Sequence, residues 1–170
     1  MMQRVLSSDL WRTVTAQARK AKQRQAAIAY VTEDHLNLKS GDVLVVDASE
    51  GTIRSGGTDA KLLDELHHRG VILYDCHDLH AKVMLLDDIA VVGSANMSQS
   101  SGSLVEAAII TDQSSIVSGV ASFIEQLKKK PNRLSSAKIA ELCKIEVIRR
   151  GGLGGAPQGK RKNPVKRLGN

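Results

Sequence analysis

Short apolar runs and amphipathic stretches alternate along the chain, and this order is typical of a β-sheet covered by helices. The predicted strands are residues 26–32, 43–47, 71–74, 79–86, 89–92 and 104–111, and the predicted helices are residues 9–23, 59–69, 113–130 and 136–145. Asp87 and Asp88 join two of the strands in a tight hairpin turn. The pattern therefore predicts an α/β fold in which helices flank a mixed β-sheet.

Two segments of small and polar residues separate these elements, and we predict both to be loops. They are residues 48–57 and 93–103, and the second contains no Leu, Ile or Val. A loop of Gly, Ser and Asn lets its backbone approach a ligand closely and offers N–H, hydroxyl and amide donors.

The chain has 170 residues, of which 42% are hydrophobic, as expected for one globular domain with a short appendage. Its net charge of +6 is unevenly distributed, because residues 149–170 hold seven Lys and Arg side chains and no Asp or Glu. Six of the 14 glycines also fall there. We predict a folded domain over residues 1–148 and a disordered basic tail over 149–170, which either binds a polyanion or serves as a linker.

The sequence offers no sign of export or of a membrane partner. No apolar run approaches the roughly 20 residues that a transmembrane helix needs, and residues 1–9 lack the apolar run of a signal peptide. Two cysteines, Cys76 and Cys143, are too few for a disulfide framework and suit a reducing compartment. These observations predict a cytoplasmic protein.

One group of polar residues falls on or beside three of the predicted strands. His80 and Lys82 lie two positions apart on a predicted strand, which places both side chains on the same face. If the next strand pairs back across the tight turn, it carries Ser94 and Asn96 to the same place. Glu106, on the third strand, is then positioned to orient the His80 ring.

These residue types suit the chemistry of a phosphodiester. Lysine, serine and asparagine side chains bind phosphate oxygens and stabilise the charge that develops on them. A histidine whose tautomer is fixed by a carboxylate attacks phosphorus or protonates a leaving oxygen. The segment holds no cluster of carboxylates of the kind that binds Mg²⁺, so the sequence indicates neither a metal nor another cofactor.

The spacing of these residues resembles the HKD motif of the phospholipase D superfamily. The matching positions are His80, Lys82, Asp87, Ser94, Asn96 and Glu106. The resemblance covers about residues 26–111 and is sharpest over 79–106. It implies a phospholipase D-like nuclease fold and a phosphodiesterase activity.

The resemblance also implies a role for each residue of the motif. His80 would be the nucleophile that forms a phosphohistidine intermediate, and Glu106 would hold its ring. The residues that would bind phosphate are Lys82, Ser94 and Asn96. Asp87 would have a mainly structural role in the turn.

The chain holds one copy of the motif, whereas members with two copies close their active site within one chain. It is therefore similar to the small single-motif members, among them bacterial nucleases, which form homodimers around a shared cleft. With the basic tail, this resemblance predicts a homodimeric nuclease that acts on nucleic acid, with DNA favoured over RNA.

Three alternatives stay open at this point. Cys76, His77 and His80 invite a zinc site, although their spacing suits no four-ligand arrangement well. The second alternative is a phospholipase or phosphatidyltransferase that acts on lipid. The third is a nucleic-acid-binding module without catalysis. Strand preference, sequence preference and biological pathway do not follow from the sequence.

Overall fold

The computed structural model describes residues 2–148, which form a seven-stranded sheet with helices on both faces. The strands are β1 (Gln3–Leu6), β2 (Arg24–Ile28), β3 (Val43–Val46), β4 (Ile72–Asp75), β5 (Lys82–Leu86), β6 (Ile89–Gly93) and β7 (Ala108–Thr111). The helices are α1 (Leu10–Lys20), α2 (Glu50–Ser55), α3 (Ala60–His68), α4 (Ser114–Leu127) and α5 (Ser136–Leu142). The predicted mixed sheet flanked by helices is confirmed, while the predicted tail over 149–170 lies outside the described residues.

The strand order across the sheet is β1-β7-β6-β5-β2-β3-β4. Strands β2, β3 and β4 run parallel to one another, whereas β5, β6, β7 and β1 alternate in direction. The carboxyl ends of β2 and β6 therefore lie at the same edge of the sheet as the amino ends of β5 and β7.

The strands alternate their side chains between two apolar layers, as the pleat of a strand requires. On one face, Met84 and Leu86 of β5 belong to the core that includes the buried sides of α1, α3 and α5. On the other face, Leu85 packs in a smaller cluster with Val120 and Ile124 of α4. Within residues 2–148, no helix is long and apolar enough to span a bilayer.

A buried ion pair lies at the edge of the sheet where β2 and β3 begin. The Arg24 guanidinium lies 3.0 Å from the Asp42 carboxylate, and both side chains are almost fully buried. Arg24 also donates to the carbonyl oxygens of Ala18 and Ala21 at the end of α1, each at 2.9 Å. Since these bonds offset the cost of burying the charges, they lock α1, β2 and the start of β3 in one arrangement.

Five elements differ from the sequence prediction, and one of them is β2, which spans Arg24–Ile28 instead of residues 26–32. Segment 48–57 contains α2, whose start is capped by the Ser49 hydroxyl and whose Ile53 is buried. Strand β1 was not predicted, because three of its four side chains are exposed and give no apolar run. Strands β5 and β7 are shorter than the predicted 79–86 and 104–111, since both begin only where pairing with a neighbouring strand starts.

Candidate active site

The ends of β2, β5, β6 and β7 meet at one edge of the sheet, and the polar motif residues other than Asp87 lie there. Lys82 begins β5, and Gly93, the residue before Ser94, ends β6. The irregular segment with His80 precedes β5, and the segment with Glu106 precedes β7. The sheet order, with β5 between β2 and β6 and β7 beyond β6, places these segments side by side.

His80 lies in the irregular segment between the turn at residues 76–79 and β5, and not on the strand as predicted from the sequence. Leu79 is buried against the α4 face and Asp78 adopts a left-handed backbone with φ of 62°. Ladder pairing with β2 starts only at Lys82, opposite Ile28. The His80 side chain is consequently exposed at the sheet edge, where a substrate can approach it.

Lys82 is a nearly buried lysine, with 8% of its side chain exposed. Its ammonium donates a hydrogen bond of 2.8 Å to the backbone carbonyl of His80. Burial lowers the pKa of Lys82 below its ordinary value, and the negative charge of Glu106 partly opposes that shift. The contact with the His80 carbonyl, and not strand alternation, is what holds the two motif residues together.

Ser94 and Glu106 form a hydrogen-bonded pair across the ends of β6 and β7. The Ser94 hydroxyl donates to the Glu106 carboxylate, and it accepts from the Ala107 amide at 3.1 Å. Gly93 permits this approach, because a Cβ at that position would lie 2.5 Å from the Cβ of Ala108. Within residues 2–148 no hydrogen bond joins Glu106 to His80, so its role in orienting the ring stays a prediction.

Asn96 is positioned by the segment that follows β2. Its side-chain oxygen accepts a 3.2 Å hydrogen bond from the Tyr30 amide. The amides of Thr32 and Glu33 donate to the Met97 carbonyl at 2.8 and 3.1 Å, which ties the segment after β6 to the same place. Because the Asn96 oxygen is occupied, its NH₂ group is the part that can donate to a phosphate.

Asp87 lies at the opposite end of the sheet from the other motif residues. It occupies the turn between β5 and β6 with φ of 54°, and its carboxylate accepts hydrogen bonds of 2.9 Å from the amides of Gln23 and Lys22. These bonds, first that of Gln23 and then that of Lys22, lower its pKa below 3.8. Asp87 thus fixes the hairpin to the start of β2 and is not part of the candidate site.

Tyr30 is a residue of this edge that sequence analysis did not select. Its backbone holds Asn96, and its ring is about one-third exposed beside the site. The sequence does single Tyr30 out in one respect, because it lies in the apolar run that begins in β2 and is one of only four Phe, Trp and Tyr residues in the chain.

The zinc alternative finds no support in the part of the chain that the structure describes. Among residues 2–148, no group of three or more His, Cys, Asp or Glu side chains is arranged to hold a metal ion.

Comparison with known proteins identifies the family. Residues 7–128 match the family model described as "Cardiolipin synthase, PLD-like domain". The chain belongs to this phospholipase D-like family. That match spans more than half of the chain and includes the whole polar edge described above.

Solved structures of this fold are similar over most of the chain. NucT from Helicobacter pylori gives a TM-score of 0.61 at 16% identity, covering 79% of this chain and 98% of that one. Nuc from Salmonella typhimurium, a phospholipase D family member, gives a TM-score of 0.63 at 14% identity, covering 78% of this chain and 96% of that one. The phosphatidylserine synthase of Haemophilus influenzae gives 0.61 at 12% identity, covering 83% of this chain but 41% of its own. None of the curated protein sequences compared with the chain matches it.

The position of Asp87 generates a pH-dependent prediction for the substitution Asp87→Asn. A carboxylate whose pKa is lowered on folding stabilises the protein above the unfolded-state value and loses that contribution as the pH falls through the lowered pKa. We expect Asp87→Asn to reduce the melting temperature by a few degrees at pH 7, and the difference to shrink as the pH falls below about 4 and to vanish only below the lowered pKa of Asp87. Turnover by the folded variant should match wild type.

Asp88→Asn, at the next position of the same turn, is the control, and it should leave the melting temperature unchanged across this range. A deficit of Asp87→Asn that is the same at pH 7 and pH 2, or a large loss of turnover, would contradict the structural role.

Proposed function

We propose that the chain is a phosphodiesterase that cleaves nucleic acid, with DNA favoured, through a covalent intermediate on His80. The observation that carries the proposal is the convergence of an exposed histidine, a nearly buried lysine and hydroxyl and amide donors at one sheet edge in a phospholipase D-like chain. His80 is the member of the group with an imidazole, and its side chain is exposed.

The reaction proceeds in two displacements. A ring nitrogen of His80 attacks phosphorus, so that a P–N bond forms while the bond to the leaving oxygen breaks and that oxygen takes up a proton. Water then attacks the phosphohistidine, loses a proton, and releases His80 as the P–N bond breaks. Two steps with a good nucleophile replace one difficult attack by water.

Lys82 supplies the positive charge for this chemistry. Because its side chain is 92% covered by protein, an ammonium–phosphate attraction there is stronger than the same contact in water. Its hydrogen bond to the His80 carbonyl ties this charge to the nucleophile's backbone. The Asn96 NH₂ group adds a neutral donor to the phosphate oxygens, and the Ser94 hydroxyl adds a second by exchanging its hydrogen bond to Glu106 for one to phosphate.

Nucleic acid is the favoured substrate because of charge and structural similarity. Residues 149–170 contribute seven cations and no anion, which suits a polyanion bound without sequence preference. The chain also covers 98% of NucT and 96% of Nuc. A cytoplasmic location agrees with such a substrate and stays a prediction.

A homodimer would complete the proton transfers. The attacking His80 cannot protonate the leaving oxygen in the same step, so a second acid is needed for an alkoxide of high pKa. A two-fold axis beside the site would supply His80 of the partner subunit as that acid.

An exposed apolar row on the sheet supports such a contact. Val5 pairs with Ile109 and Ile109 pairs with Val92 across β1, β7 and β6, and these side chains are 71%, 44% and 41% exposed. Val105, almost fully exposed, adjoins Glu106. This surface lies next to the site, where a second copy of the chain would share it.

Lipid phosphodiesters are the second candidate substrate. The family description names cardiolipin synthase, and a phosphatidylserine synthase shares the fold. Leu104 and Val105, exposed beside the site, would then contact acyl chains instead of a second copy. Release of headgroup from anionic phospholipid vesicles, absent in His80→Ala, would favour this candidate.

The first experiment compares wild type with His80→Ala in a plasmid-nicking assay containing EDTA. We expect wild type to cleave, because Lys82, Ser94 and Asn96 supply the stabilising groups, and His80→Ala to lose at least about a thousandfold in rate. Since His80 is exposed, the variant should keep the melting temperature of wild type. His77→Ala, an exposed histidine three positions earlier, should cleave normally. A His80→Ala rate within tenfold of wild type would refute the assignment.

The second experiment tests the apolar row with Ile109→Lys. A charge at the centre of a dimer contact is costly to desolvate, so we expect a folded monomer by analytical ultracentrifugation with nicking activity reduced at least tenfold. Phe123→Lys, at a comparably exposed apolar position on α4, should stay dimeric and active. A fully active wild-type monomer, or an Ile109→Lys dimer, is incompatible with this contact.

A further inference from the structure

A deep groove begins at the candidate site and runs away from it along α2. Its wall includes Asn96 and the segment 98–100 at one end, Tyr30 and segment 55–58 along its length, and Ile148 at the other end. Its volume is about 1610 Å³, larger than the roughly 300–1,000 Å³ of a typical small-molecule pocket. A groove of this size suits an extended chain and not only the atoms around one phosphate.

The Tyr30 ring lies on the wall of this groove, close to the phosphate-binding residues. The Tyr30 amide donates to the Asn96 side chain, so the residue that carries the ring directly adjoins a proposed phosphate ligand. The ring packs against Gly57, where an added Cβ would lie 3.3 Å from its Cδ1. The ring is therefore backed by protein on one side, while about one-third of the residue is exposed to the groove.

We propose that this groove binds a single-stranded segment of the substrate next to the scissile phosphate, and that Tyr30 stacks on one of its bases. The inference rests on the proposed function, because it assumes that the phosphodiester belongs to nucleic acid. Stacking on a side-chain ring requires a base that is free of its duplex neighbours. Tyr30 acts here as a positioning residue and takes no part in the displacement steps.

The charges along the groove balance one another. The described wall carries Arg54 and Lys61 together with Glu33 and Asp59. Because this wall is close to neutral, the attraction that holds a strand comes from stacking on Tyr30 and from the positive charge of Lys82 at the scissile phosphate.

The test measures binding by fluorescence anisotropy, in the His80→Ala background so that the probes stay intact. One probe is a ten-nucleotide oligothymidylate, and the other is a deoxyribose-phosphate oligomer of the same length and charge without bases. We expect the protein with Tyr30 to bind the base-bearing probe roughly 5- to 150-fold more tightly than the abasic one. Tyr30→Phe should keep this preference, and Tyr30→Leu, which retains bulk without an aromatic face, should lose it.

Equal binding of the two probes by protein with Tyr30, or a preference that survives in Tyr30→Leu, would overturn the groove assignment. Cleavage of the single-stranded oligothymidylate by wild type, measured in parallel, separates this inference from the proposed function. Cleavage without a Tyr30-dependent preference refutes the groove alone, whereas a Tyr30-dependent preference without cleavage refutes the phosphodiesterase and supports the groove. Failure of both probes to bind refutes the groove as well.

Discussion

The antiparallel insertion of β5 between β2 and β6 is the constraint on which the candidate site depends. Parallel strands β2, β3 and β4 alone would present only carboxyl ends at this edge of the sheet. Because β5 and β7 run the other way, two amino ends join them, and residues from four separate stretches of sequence come together. The turn held by Asp87 and the buried ion pair of Arg24 and Asp42 fix the opposite edge of the sheet. These contacts fix the positions of β2, β5 and β6 relative to one another, and so the positions of their ends at the candidate site.

The burial of Lys82 links this architecture to chemistry. An ammonium at the start of a central strand is costly to bury, and its hydrogen bond to the His80 carbonyl together with the charge of Glu106 offsets part of that cost. A bound phosphate would add the opposite charge in a place from which water is largely excluded. The fold thus keeps a cation in a position where, under the proposed function, an anionic substrate would satisfy it better than solvent does.

Sequence analysis predicted the sheet, its helices and the polar motif, because apolar periodicity and motif spacing are both local properties of the chain. The prediction that His80 and Lys82 lie on one strand was wrong, since ladder pairing begins only at Lys82 and leaves His80 in the irregular segment before β5. The pairing of Ser94 with Glu106 depends on the close approach permitted by Gly93, which no periodicity reveals. Tyr30 was missed for a similar reason, as its place beside Asn96 arises from a contact 66 residues apart in sequence.

The central claim is that His80 forms a covalent bond to phosphorus. The most direct measurement is to mix the protein with a substrate radiolabelled at the scissile phosphate, quench under denaturing alkaline conditions during turnover, and identify the labelled peptide by mass spectrometry. The account predicts label on the peptide that contains His80, with the acid lability of a phosphoramidate. Label on another residue, or turnover that leaves the protein unlabelled at every quench time, would contradict it.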